Sequence, residues 1–97
     1  MNGKTCIRID LSQVTSARQL HAALARALDF PTLYGNNWDA FWDAITGLVS
    51  MPQQLELLGW HALEQRLPHD AALLLQCLAR MAQQFPSLAP HVTLRRG

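Results

Sequence analysis

Pro31 to Gly47 reads PTLYGNNWDAFWDAITG, a stretch that opens with turn chemistry and closes as a helix. Tyr34-Gly35-Asn36-Asn37 is a run of turn formers. Asn36 or Asn37 can cap the next helix, because a short amide side chain accepts a hydrogen bond from a first-turn backbone N–H. On that helix Trp38, Phe41, Trp42, Ile45, Leu48 and Val49 form a broad apolar surface. Asp39, Asp43 and Thr46 fall on the i, i+4, i+7 stripe beside it. Gly47 and then Pro52 are expected to mark the helix end.

Upstream, Thr5 to Leu11 alternates, with Ile7, Ile9 and Leu11 on one face and Cys6, Arg8 and Asp10 on the other. A period of two is a strand half covered by something apolar. Ser16 with Gln19 is a capping-box pattern, and the helix it starts carries Leu20, Leu24, Ala27 and Leu28 on one stripe and ends before Pro31. Downstream, Gln54 to Leu58 reads as a second strand and His61 to Leu67 as a brief helix. Pro68 opens a longer helix with Asp70 near its positive end and with Leu74, Leu78, Met81 and Phe85 along its buried face. Pro86 and Pro90 stop it, and His91 to Leu94 can be a last short strand. Strands separated by helices require crossovers, so the fold class is α/β: a three-stranded parallel sheet covered by about four helices, in the order β-α-α-β-α-α-β. Residues 1–97 are expected to form one domain.

The bulk numbers narrow the function. With 49% hydrophobic and 15% charged residues the chain has an ordinary globular composition. No apolar run approaches the roughly eighteen residues of a membrane span, and the N-terminus lacks the pattern of a secretory signal. Cys6 and Cys77 are far apart and read as two buried free thiols of a cytoplasmic protein. The bases are scattered, with no basic stripe of the kind that grips nucleic acid. The acids are not scattered. Between Arg26 and Arg66 lie Asp29, Asp39, Asp43, Glu56 and Glu64 and no Lys or Arg, a formal charge of −5 in a chain whose net charge is +1. That asymmetry points to a cationic partner.

Asp39 and Asp43 stand one helical turn apart. Like charges at that spacing cost about 0.2–0.5 kcal/mol, with no nearby base in sequence to offset them. A solvated helix face is the bland account; an anionic patch flanked by interface-type aromatics is the functional one. Either Trp38 or Trp42 can be the ring that points outward. An acid/base pair as in a glycosidase would need a cleft with opposing walls. Dispersed histidines, no Cys/His cluster, no nucleophile elbow and no grouped glycines leave no trace of a metal, a cofactor or a catalytic centre. The chain does not read as an enzyme.

The run Tyr34-Gly35-Asn36-Asn37-Trp38-Asp39-Ala40-Phe41-Trp42-Asp43, closed by Thr46-Gly47, resembles the signature of the barstar family of intracellular inhibitors of secreted ribonucleases such as barnase. Outside the motif the likeness is one of element order and length. The resemblance implies a small parallel sheet with helices packed on it, and a protein that plugs a ribonuclease active site with its second helix and the loop before it. It implies that Asp43 takes the place of a substrate phosphate and Asp39 pairs with bases at the rim. It also implies that Trp42 packs beneath the contact and that Gly35, Asn37 and Gly47 shape the loop ends. The implied partner-binding set is Leu33, Tyr34, Gly35, Asn37, Asp39, Trp42, Asp43, Thr46, Gly47 and Arg80. Two members depart from the pattern: Leu33 stands where the family has an aromatic ring, and Arg80 where it has a glutamate. The implied partner is thus a basic ribonuclease or toxin other than barnase, bound by a cytoplasmic monomer acting as an immunity protein without cofactor, metal, membrane or direct nucleic-acid contact. The alternative is a binding module of the same fold whose partner is not a ribonuclease.

Overall fold

Alternation along the first strand is realised as expected. The computed structural model describes residues 5–97; residues 1–4, including Lys4 and the start of the segment read as lacking a secretory signal, lie outside the described residues. In β1 (Cys6–Asp10) Ile9 is buried and Ile7 half-buried, Leu11 just beyond is buried, and Cys6, Arg8 and Asp10 are exposed. Strand β2 (Gln54–Leu58) buries Leu55 and Leu57, and β3 is His91–Leu94. Both pairings are parallel in the order β1-β2-β3, with Ile9 opposite Leu57 and Leu55 opposite Val92. Four helices connect them: α1 (Ala17–Leu28), α2 (Trp38–Asp43), α3 (Trp60–Arg66) and α4 (Pro68–Gln84). The sequence of elements is the β-α-α-β-α-α-β read from the chain.

The core lies between one sheet face and the helices. Ile9, Leu55 and Leu57 meet Leu20, Leu24, Phe41, Leu74, Leu78 and Met81 there. The opposite face, with Cys6, Arg8 and Asp10, faces solvent rather than helices, so the sheet is covered on one side. This corrects the reading of two buried thiols. Cys6 is exposed because it sits on the uncovered face of an edge strand, and Cys77 is half-buried. On that face the Glu56 carboxylate is gripped by Arg8 Nε at 3.1 Å and Arg95 Nη2 at 3.6 Å.

Local signals account for the helix ends. Ser16 caps α1 by accepting from Gln19 N, while Gln19 Oε1 accepts from Thr15 N at 2.7 Å, one residue before the cap. Asp29 takes a left-handed conformation at the C-terminus of α1. Helix α3 begins after Gly59, whose φ is 70°. A Cβ at that position would come within 2.6 Å of Ser12 backbone atoms, so the sheet's end and the α3 start are joined at a position that only glycine fits. In α4 Leu74, Leu78 and Met81 are buried as read, but Phe85 is 39% exposed because the helix has ended at Gln84.

Candidate functional site

The loop before α2 is built by its own side chains. Asn37 rather than Asn36 is the cap: its backbone is extended, Oδ1 accepts from Ala40 N at 2.7 Å and Nδ2 donates to the Gly35 carbonyl at 3.2 Å. Asn36 takes the left-handed turn position, with φ 52°. A Cβ on Gly35 would lie 3.2 Å from Asn37 Nδ2 and 3.4 Å from the Ala40 Cβ, so a larger residue there would press on the capping amide.

Tyr34 anchors the loop to the body. Its hydroxyl lies 2.6 Å from Nδ1 of His21 on α1, and its ring packs against Phe30. Burial pushes the phenol well above its ordinary pKa, the Cys77 thiolate adding to the shift. His21 is only 2% exposed and its ring lies 4.4 Å from that of Trp38, whose indole N–H donates to Asp70 Oδ1 at 3.0 Å. Burial holds His21 below the usual imidazole pKa, with Asp70 partly opposing. Neither the burial of His21 nor the contact between Trp38 and Asp70 leaves a local signal in the sequence. Leucines at 20, 24 and 28 marked the stripe, but nothing local told that the histidine beside them faces a tyrosine thirteen residues on.

Asp39 and Asp43 are both exposed. Among the described residues the ion pairs are those of Glu56 with Arg8 and Arg95, and neither aspartate is in one. Glu56, by contrast, leaves the pool of free acids in the middle of the chain.

The two tryptophans divide their roles. Trp38 packs inward against His21 and Phe41; Trp42 is half-buried and lies against α4, with the Arg80 guanidinium carbon 4.3 Å from its ring centroid and Phe85 beside it. Arg80 is therefore held over an aromatic face, a cation–π arrangement. The Cys77 thiol, one turn before it, is raised by burial, lowered by Arg80 and raised by Asp39, which places Asp39 within electrostatic reach of that flank of α4.

After Asp43 the helix widens into a π turn, Ala44–Leu48, in which Val49 N donates to Ala44 O five residues back. Thr46 spends its hydroxyl inside this turn, donating to the Trp42 carbonyl at 2.6 Å. Gly47, expected to mark the helix end, lies inside the π turn one residue before its last, without positive φ, and a Cβ there would meet nothing within 4 Å. The π turn also corrects Leu48. An inserted residue breaks the 3.6-residue period by which Leu48 was placed on the apolar surface, and its side chain is 62% exposed.

Leu33, 94% exposed, Tyr34, Gly35, Asp43 and Leu48 line one groove of about 260 Å³. Trp42 and Arg80 lie on the α4 flank of the same helix. The structure thus gathers Leu33, Tyr34, Gly35 and Asp43, sets Trp42 and Arg80 beside them, and uses Asn37 and Thr46 to hold the backbone. Asp43 is the carboxylate lining the groove, with no second acid opposite it.

Comparison with known proteins agrees with this architecture. Over 51 residues, 53% of this chain, the protein is 45% identical to the Bacillus subtilis (strain 168) protein named "Putative ribonuclease inhibitor YrdF", and the match spans 56% of that relative, little more than half its length. The family model described as Barstar (barnase inhibitor) matches residues 5–95, nearly the whole chain, and the protein belongs to the barstar family.

Proposed function

We propose that this protein inhibits a basic ribonuclease by seating the loop 33–37 and helix α2 in the enzyme's active site. Such an enzyme must present a cationic pocket to an anionic backbone, so an acidic protrusion is its natural mimic. Asp43 takes the position of a substrate phosphate, and Asp39 pairs with bases at the rim. Trp42 supports the helix from behind, while Asn37, Gly35 and Thr46 hold the backbone that aims the carboxylates. The single observation that carries the reading is two exposed aspartates on a capped helix, neither of them in an ion pair among the described residues. Charge steering then raises the encounter rate with a basic enzyme above that of neutral proteins. Action in the cytoplasm as a monomeric immunity protein is part of the same proposal.

Leu33 and Arg80 favour a target other than barnase: the first removes an aromatic ring from the rim, and the second sets a cation beside a cationic pocket. Titration into RNA-cleavage assays, with barnase and other basic ribonucleases as targets, tests the proposal. Full inhibition at stoichiometric protein is expected for the cognate enzyme, and Asp43→Ala is expected to cost about 2 kcal/mol or more of affinity. A loss under about 1 kcal/mol would mean that Asp43 is no hot spot. Leu33 and Arg80 also favour a second reading, a partner that is no nuclease; affinity capture that recovers one acidic or neutral protein and no ribonuclease would establish it.

A further inference from the structure

Two large apolar side chains stand in solvent on either side of α2, Leu33 before it and Leu48 after it, and both line the groove that holds Asp43. Pro31, Tyr34, Gly35 and Ala40 complete its lining. At about 260 Å³ the groove is smaller than the roughly 300–1,000 Å³ of small-molecule sites, and suits a side chain. Its chemistry narrows the occupant. A purely apolar group would dehydrate the Asp43 carboxylate without giving it a partner. A bare cation would leave both leucines wet. Long basic side chains answer both demands, since their methylene stems lie along apolar surface while the charged head reaches a carboxylate.

We propose that Leu33 and Leu48 clamp the methylene stem of a lysine or arginine of the partner, so that the groove selects by stem length as well as by charge. For the partner's identity this rests on the ribonuclease reading; for its chemistry it rests on the groove. Leu48 becomes a contact residue, and the binding surface extends past Gly47 to the end of the π turn. A target that offers only histidine or a short-stemmed cation beside Asp43 is discriminated against.

The test uses the whole protein, labelled with ¹⁵N, and three small probes: N-acetyl-lysinamide, N-acetyl-2,3-diaminopropionamide and N-acetyl-norleucinamide. The second keeps the ammonium on a much shorter stem, and the third keeps a stem without charge. Backbone amide shifts of Leu33, Gly35, Asp43 and Leu48 report binding. The lysine probe should bind about five- to tenfold more tightly than the short amine, because each extra methylene is buried in part. It should also outbind norleucinamide. In the Leu33→Ala/Leu48→Ala variant, whose core is untouched because both side chains are exposed, the preference for the long stem should vanish. Equal binding of long and short amines, norleucinamide matching lysinamide, a preference that survives the double substitution, or no shifts at these amides would each overturn the clamp. No ribonuclease enters this titration, so its result and the outcome of the inhibition assay fail independently.

Discussion

Replacing Gly59 with alanine should damage this protein more than any other single methyl group added to a described glycine. At φ 70° and ψ 27° the residue is left-handed, which costs a residue with a Cβ about 1–2 kcal/mol. The added carbon would lie 2.6 Å from the N, Cα and Cβ of Ser12. Ser12 has little room to retreat. Its N–H donates to Asp10 Oδ1 at 2.9 Å, its carbonyl accepts from Arg66 Nη1 at 2.6 Å, and Leu11 N next to it is tied to the Leu58 carbonyl. Relieving such a clash costs roughly 1–3 kcal/mol, for a total of about 2–5 kcal/mol. Small domains have only about 5–15 kcal/mol of stability to lose. With a urea slope of about 1–3 kcal/mol per molar, the unfolding midpoint should drop by roughly 0.7–5 M. Gly47→Ala is the control: it meets open space at ordinary φ, inside a helical turn, and should be neutral or stabilising by up to about 1 kcal/mol. A Gly59→Ala midpoint shift of less than about 0.5 M, or an equal fall in both variants, would refute the clash with Ser12.

Loss of the Asn37 cap in Asn37→Ala should cost about 0.5–2 kcal/mol of stability in the same urea assay, and an unchanged midpoint would show that the cap is dispensable. His21 introduces a pH dependence whose sign is set by its depressed folded-state pKa. Below the unfolded value of 6.5 the unfolded chain binds a proton that the folded protein resists. Stability is therefore full above that pH and declines as pH falls from there towards the folded pKa. His21→Gln should flatten that part of the stability–pH curve measured by urea unfolding, and a slope identical to that of the unsubstituted protein would exclude His21 as its source. Arg80→Glu removes a cation from beside the acidic helix and should raise the association rate with a basic ribonuclease and steepen its dependence on salt; stopped-flow mixing at several ionic strengths checks this, and a slower association would show that Arg80 makes a favourable contact.

Much of the architecture was legible in the chain because its signals are local. Alternation at Ile7, Ile9 and Leu11, the Ser16 cap, the proline at 68 and the prolines after Gln84 each act through near neighbours, and all stand where the sequence places them. So does the acidic stripe, whose exposure accords with the spacing of Asp39 and Asp43. Sequence and structure part where the period changes or where distant elements meet. Leu48 and Gly47 differ from expectation because the π turn shifts register after Asp43, and Phe85 because α4 stops one residue short of it.

Local pattern alone determined the βααβααβ order, the helix that carries the acids and the lack of any basic residue near them in sequence. Only the tertiary structure decided that those acids are exposed and in no ion pair among the described residues, that Tyr34 is held by a buried histidine from α1, that Trp42 lies under Arg80, and that Leu33 and Leu48 share one groove with Asp43. The physical reason is separation along the chain. Hydrogen bonds of caps and turns span a few residues and leave their mark in sequence, whereas a cation over a ring or a groove between two ends of a helix exists only once packing has brought those side chains together.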